Sequence, residues 1–257
     1  MKKLLKPIYS LVLSQKTRIA IIISITKLFS ILYFGNKFKC NCCKRSFRKF
    51  MSKGAVKVRE NAVCPYCMSL ERTRLLQFYL ENETSIFKGG KSVLHFAPEH
   101  TLLKQLKKIN HSLYIPCDID PNLGEYEVDI TNIPFPENTF DYIICLHVLG
   151  FVNNEKKAIE EIKRVLKPKG TAIIMTLIDW NLKTTLESPD IITEAQKLEH
   201  YTEPDASRLH GADFKEKLIS FGISTEQIDY RQKLGLEICQ KYSLGNGERE
   251  MIFKCTK

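Results

Sequence analysis

The sequence predicts an α/β fold: a doubly wound, mostly parallel sheet finished by an antiparallel C-terminal strand, with a small cysteine-bearing module and a helix ahead of it. Three observations carry this. Between Lys91 and Leu177, short apolar runs alternate with amphipathic stretches. Two Cys-x2-Cys pairs, Cys40–Cys43 and Cys64–Cys67, stand twenty residues apart just before that alternation. The first 36 residues are basic and then apolar. Strand–helix alternation implies parallel pairing, because each parallel strand needs a crossover before the next. The 257 residues, 44% hydrophobic, suffice for one such core and a small addition. The implied divisions are residues 1–38, 39–88 and 89–257.

In the first division, Leu4, Ile8, Leu11, Val12 and Ile19 share one helical face among five Lys and Arg. Ile19 to Gly35 is almost wholly apolar, but Lys27 interrupts it. A spanning helix needs about 20 apolar residues and tolerates a central lysine poorly. No small-residue cleavage site follows before Cys40. The segment reads as an amphipathic helix on an anionic membrane surface through residues 1–36, at the cytoplasmic leaflet. Packing on the protein or on a second subunit is the competing reading. Residues 1–60 hold fifteen Lys and Arg against the single acid Glu60, whereas residues 61–257 hold twenty-four against twenty-eight acids. The net charge of +10 therefore belongs to the head, which suits anionic lipid or nucleic acid.

Cys40, Cys43, Cys64 and Cys67 come next. Two residues between thiolates let one tight turn aim both sulfurs at one ion, and two such turns close a tetrahedral sulfur site around zinc. Four thiolates leave no open position, so the site is expected to be structural. Cys42 is the spare thiol. An odd total of nine cysteines with one tight cluster fits a reducing, cytoplasmic setting and not a disulfide framework. Between the pairs, a short basic hairpin is expected to pack Phe47 and Phe50. Ser69 is expected to cap a helix over Leu70–Glu81, and Gly89-Gly90 breaks the chain.

The third division starts with a strand at Ser92–Phe96, a helix at Leu102–Ile109 and a strand at Ser112–Cys117 ending in Asp118. A strand at Phe140–Leu146, a helix at Glu155–Leu166 stopped by Pro168 and Gly170, and a strand at Thr171–Leu177 follow. Near the C-terminus, Phe214–Phe221 reads as a helix, and Ile223–Tyr230 and Met251–Cys255 as two antiparallel strands. Ligands of such sheets bind at the carboxyl ends of the strands. Asp118 is placed there to accept both hydroxyls of a ribose, and Asp129 to face an adenine amino group. Turn formation before Pro121 and a loop acid are their bland alternatives.

The run Asp129-Ile130-Thr131-Asn132-Ile133-Pro134-Phe135-Pro136-Glu137-Asn138-Thr139-Phe140-Asp141 resembles the acid-loop-strand segment of class I S-adenosylmethionine (SAM)-dependent methyltransferases, of the methyltransferase type 11-like kind. The run Ala158 to Gly170 is similar to their helix after the fourth strand. Cys64 to Arg72 followed by Leu94-His95-Phe96-Ala97-Pro98-Glu99 resembles a bacterial subfamily with a zinc-ribbon-like head, often acting in glycan pathways. Arg208-Leu209-His210-Gly211-Ala212-Asp213-Phe214 resembles that subfamily's closing motif. The resemblance covers roughly residues 40–256 and implies a Rossmann-like fold that binds SAM through His95, Ala97, Glu99, Asp118, Asp129 and Ile130. Two departures stand out. The glycine-rich first motif of the class reads His95-Phe96-Ala97-Pro98-Glu99, and Gly150-Phe151 replace the Glu and His that typically follow the fourth strand.

Methyl transfer from a sulfonium is an in-line displacement, for which a protein supplies mainly proximity and orientation. A hydroxyl acceptor also needs a base; His147 is the first candidate, and His210 and Asp213 the second. A core histidine and a capping contact are the bland readings of these. The leading expectation is a SAM-dependent methyltransferase acting on a small molecule or glycan, at a hydroxyl, in polysaccharide biosynthesis. Competing with it are an RNA methyltransferase with a basic zinc head and a degenerate binding protein. Gly235, Gly245 and Gly247 are expected near the acceptor pocket, as is Trp180. The oligomeric state is not legible.

Overall fold

The computed structural model describes residues 15–54 and 57–257. Leu4, Ile8, Leu11 and Val12 lie outside the described residues. Helix α1 (Gln15–Phe29) leads into a four-strand head. There β1 (Phe34–Lys39) pairs with β2 (Ser46–Phe47), and β3 (Met51–Lys53) with β4 (Arg59–Val63), both antiparallel. Phe47 and Phe50 are buried as expected, with ring centroids 5.9 Å apart. Helix α2 (Glu71–Glu83) links the head to the main sheet.

The sheet has seven strands, in the order β10-β11-β9-β8-β5-β6-β7. They are β5 (Val93–Phe96), β6 (Tyr114–Asp118), β7 (Tyr126–Glu127), β8 (Phe140–Leu146), β9 (Leu166–Met175), β10 (Ser224–Ile228) and β11 (Ile252–Thr256). Five consecutive neighbours run parallel, and β11 is antiparallel to both β9 and β10. The order reverses between β5 and β8, opening a crevice at their carboxyl ends.

Strand alternation divides the core in two. Leu94, Phe96, Ile143, Cys145, Ala172 and Ile174 face one side, under α4 (Glu155–Val165) and α6 (Phe214–Ser220). Val93, Ile144, Leu146, Ile173 and Met175 face the other, under α2 and α3 (His100–Ile109). Each fully buried Leu or Ile contributes roughly 1.5–3 kcal/mol. The helices are sided accordingly: Ala158, Ile159, Ile162 and Val165 of α4 are fully buried. Helix α5 (Glu194–Tyr201) lies in the long segment after β9, and α7 (Tyr230–Leu234) and α8 (Leu236–Tyr242) between β10 and β11.

Two local expectations are corrected. Helix α4 ends at Val165, because Leu166 takes an extended conformation (φ −65°, ψ 136°). The chain runs straight into β9, so Pro168 and Gly170 lie inside the strand, beside a register shift against β8. Ser69 does not cap α2: Leu70 stands at that position without a side-chain cap. The Ser69 hydroxyl instead lies 3.3 Å from the Cys40 sulfur and 3.2 Å from that of Cys67.

Candidate functional site

A cavity of about 560 Å³ opens at the carboxyl ends of β5, β6 and β8. Asp118, Asp129, Ile130 and Ala97 line it together with Ile119, Val128 and His147. Asp118 ends β6 and accepts the Asp120 amide at 2.9 Å. The turn after it is drawn tight against the strand: a Cβ on Gly124 would stand 2.5 Å from the Asp118 nitrogen. Asp129 accepts the amide and hydroxyl of Thr131, each at 2.8 Å, through one oxygen, Oδ1. Its loop is held from below by α4, where Glu161 accepts the Ile133 amide at 2.9 Å and Arg164 donates to the carbonyls of Ile133 and Phe135, each at 2.8 Å. The Arg164 hydrogen bond, outweighing partial burial, brings Glu161 down to about 2.

The glycine-poor first motif has a geometric resolution. Ala97 adopts φ +45°, the left-handed conformation that glycine ordinarily supplies, and its amide bonds to the Cys117 carbonyl at 2.9 Å. His95 and Glu99 are not among the lining residues. Alternation sends the His95 ring to the opposite face of β5 from Phe96, where Nδ1 meets the Tyr114 hydroxyl at 2.9 Å. Its Nε2 stands 3.4 Å from Glu99 Oε2, and neither of these buried atoms has a hydrogen-bond partner among the described residues.

His147 lies where this cavity meets a second one of about 1040 Å³ and lines both. It follows β8 with φ +54°, a strained position of the kind found at functional sites. Its Nε2 is 3.2 Å from the Arg249 carbonyl, which can only accept, so Nε2 carries the proton and Nδ1 the free lone pair. Burial, then the charges of Arg72 and Arg249, push its imidazole well below the usual histidine range. A neutral imidazole at neutral pH follows.

The closing motif is arranged differently from the expectation that paired His210 with Asp213. His210 is buried beneath the second cavity with both nitrogens occupied: the Thr176 hydroxyl at 2.9 Å from Nδ1 and Glu155 at 2.7 Å from Nε2. Burial alone would raise the Glu155 carboxyl, but hydrogen bonds from His210 and Lys217 bring it down to about 2. Asp213 is elsewhere, accepting the amide and hydroxyl of Thr185 at 2.8 and 2.9 Å. Arg208, fully buried, donates to the carbonyls of Leu149, Val152 and Asn153 and to Glu187. The motif therefore ties the loop after β8, which carries cavity-lining residues 151–154, to the segment at 185–187. At Gly150 an added Cβ would meet nothing closer than 3.8 Å, so the missing Glu leaves open space next to His210.

In the head, one sulfur each from Cys40, Cys43, Cys64 and Cys67 fall within 4.8 Å of one another. Each pair is followed by a left-handed residue, Lys44 (φ 62°) and Met68 (φ 62°), so the two turns are alike. Cys42 is outside the cluster, 3.8 Å from Asn41 Oδ1. Hydrogen bonds from Cys42 and Cys43 hold the Cys40 thiol far below the ordinary range, and hydrogen bonding with Cys40, then with Cys43 and Cys67, raises Cys64. Four crowded sulfurs of this kind are a donor set suited to a divalent metal. Arg74, fully buried, joins the head to the rest by donating to the carbonyls of Ser69, Ala62, Tyr242 and Ser243. Sequence reasoning missed Arg74 and Glu155, whose partners lie far along the chain.

Residues 86–174 match a family described as a methyltransferase domain. A 2-phytyl-1,4-naphtoquinone methyltransferase of Nostoc punctiforme is 28% identical over 49% of this chain and 55% of its own length. A tRNA U34 carboxymethyltransferase of Nautilia profundicola is 30% identical over 47% of this chain and 39% of its own. A solved SAM-dependent methyltransferase from Mesorhizobium loti has 11% identity, covers 73% of this chain and 98% of its own, and gives a TM-score of 0.49. The chain spans 16% to 55% of the length of the relatives it matches. Sheet order and family match together liken the α/β region to class I SAM-dependent methyltransferase domains, and a four-cysteine cluster stands in the module ahead of it.

Proposed function

We propose that this protein transfers a methyl group from SAM to a small-molecule or glycan acceptor, at a hydroxyl. The observation that carries the reading is the convergence of Asp118, Asp129 and His147 on one cavity at the strand ends. SAM, when bound, supplies the electrophilic methyl. Of the lining residues, Asp118 would hold the ribose hydroxyls, Ile119 and Ile130 would offer apolar contact to the base, and Asp129 would accept from its amino group. Ala97 lets the backbone approach the methionyl part. His147, neutral and at the mouth of the second cavity, takes the acceptor's proton on Nδ1. His210, which lines the second cavity, and Asp213 position loops through Glu155, Thr176 and Thr185.

The four thiolates hold a structural zinc. The divisions at 38 and 88 separate a membrane-facing helix, a zinc module and the catalytic domain. On α1 and just after it, Ile22, Leu28, Phe29, Ile31 and Leu32 are all more than half exposed. No helix among the described residues is long and apolar enough to cross a membrane. Such a surface next to so basic a head suits peripheral binding to anionic lipid at the cytoplasmic face. Naphthoquinone methylation by one relative fits an acceptor met at a membrane. A tRNA-acting relative and the basic head support RNA as a second reading.

The test is transfer from methyl-tritiated SAM to separated lipid, glycan and RNA fractions. Label is expected in a lipid or glycan fraction and lost with Asp118→Ala; label confined to RNA would reverse the order of the two readings.

A further inference from the structure

The second cavity is walled on one side by the head: Lys53, Gly54, Lys57 and Arg59 line it with Arg72, the first residues of the loop after β9, and Arg249. We infer that Arg59, Arg72 and Arg249 form a phosphate-binding wall for the acceptor, which is a phosphorylated or diphosphate-linked glycosyl compound. The inference rests on the methyltransferase reading and names its substrate class.

Three observations carry it. First, two of the three guanidinium groups, those of Arg249 and Arg72, have no close carboxylate partner among the described residues. Among the described residues Arg249 meets Glu203 alone, at 3.7 Å, whose carboxylate is 45% exposed. The buried Nε of Arg72 has no hydrogen-bond acceptor, although the fields of Glu99 and Glu71 reach it. Arg59 alone is firmly paired, with Glu71 at 3.0 Å. Second, the wall is desolvated and Arg249 feels its neighbours. Burial, then the charges of Arg59 and Arg72, lower the Arg249 guanidinium, and burial lowers that of Arg72 against the raising charges of Glu99 and Glu71. Like charges gathered in a desolvated wall are an arrangement that an anion relieves. Third, the wall adjoins His147, whose ring is held by the Arg249 carbonyl. An acceptor anchored there by phosphate presents its sugar hydroxyl to Nδ1.

The charge exceeds what one carboxylate needs. Lys57, itself paired with Glu248 at 2.6 Å, and Lys53 add to the same wall. A continuous nucleic-acid strand fits less well. The same lining carries Asp179, Glu203, Asp205 and Glu248, and residues 61–257 have more acids than bases. The geometry also gives the head a function beyond stability, since its strand β4 contributes Arg59.

The experiment titrates inorganic pyrophosphate, and separately S-adenosylhomocysteine, into the zinc-loaded full chain by calorimetry. Arg249→Gln and Arg72→Gln are compared; Arg249→Gln removes the guanidinium whose only ion pair is solvent-exposed, so it is the safer variant for folding. Zinc content and circular dichroism report the fold. Pyrophosphate is expected to bind, and each variant to weaken it about tenfold while leaving homocysteine-cofactor affinity within about twofold. Absence of pyrophosphate binding in a protein that binds S-adenosylhomocysteine overturns the phosphate wall and leaves the methyltransferase reading intact. Loss of S-adenosylhomocysteine binding in the variants assigns the arginines to the cofactor's carboxylate and also overturns it. Arginine-dependent pyrophosphate binding without S-adenosylhomocysteine binding keeps the anion site and removes the reading beneath it. Displacement of pyrophosphate by a single-stranded oligoribonucleotide at lower concentration than by a glycosyl diphosphate overturns the acceptor class.

Discussion

Glu155 is the acid around which the closing motif is built, so Glu155→Gln isolates its charge. Its carboxyl is nearly inaccessible and meets His210 at 2.7 Å and Lys217 at 2.8 Å. Gln still accepts a hydrogen bond from His210, so shape and one bond survive while the charge goes. Holding a carboxyl at about 2 in place of its ordinary 4.5 corresponds to about 3 kcal/mol of folding stability at neutral pH. The folded value is the depressed one. The contribution is therefore complete above the unfolded value, and it declines as pH falls from about 4.5 toward 2. The variant is expected to be less stable by about 3 kcal/mol at pH 7, and by about 1.5 kcal/mol at pH 3. Urea unfolding at both pH values, followed by the single tryptophan Trp180, measures this. Acid release of metal affects both proteins equally and cancels in the difference. An equal deficit at pH 7 and pH 3, or none at pH 7, would refute the charged-network reasoning.

Ala97→Gly should raise stability by up to about 1 kcal/mol, because glycine adopts the left-handed conformation without a Cβ penalty; a drop in the urea midpoint would show that the Ala97 side chain is needed. Metal analysis should find one zinc per chain, released by a mercurial and absent in Cys64→Ser; iron, or a stoichiometry near zero in freshly purified protein, would contradict a zinc site. His147→Asn should lower methyl transfer by about a hundredfold or more and leave cofactor binding unchanged. Because burial holds the imidazole neutral, the wild-type rate should show no break at the ordinary histidine value of 6.5; a break there would mean an exposed base. Ile22→Asp with Leu28→Asp should release the protein from phosphatidylserine vesicles in a flotation assay, and retained binding would count against the lipid-facing helix.

Much of the sheet was legible because its strands are short apolar runs at the right period. Phe140–Leu146 alternates two buried faces, and the antiparallel end at 252–256 follows from the same pattern. The four sulfurs were legible from spacing alone, since a two-residue turn restricts where a thiol can point. Asp118 and Asp129 were legible because they sit at or just past strand ends, where chain order nearly fixes position. Partners of buried ionic groups were not. His210 meets Glu155 from a helix 55 residues away, a contact that no local pattern records. Helix and strand at Val165–Leu166 were misjudged because Pro168 and Gly170 ordinarily punctuate helices, whereas here a register shift takes them into a strand. The arginine wall was hidden for the same reason as His210: Arg59, Arg72 and Arg249 come from three separate elements.

The most direct test of the account is calorimetric titration of S-adenosylhomocysteine into the folded, zinc-loaded protein, with Asp118→Ala alongside. Micromolar binding that the substitution weakens about a hundredfold or abolishes is the predicted result. Failure of the intact protein to bind would contradict the account at its centre and leave the fold as that of a binding protein without methyl-transfer chemistry.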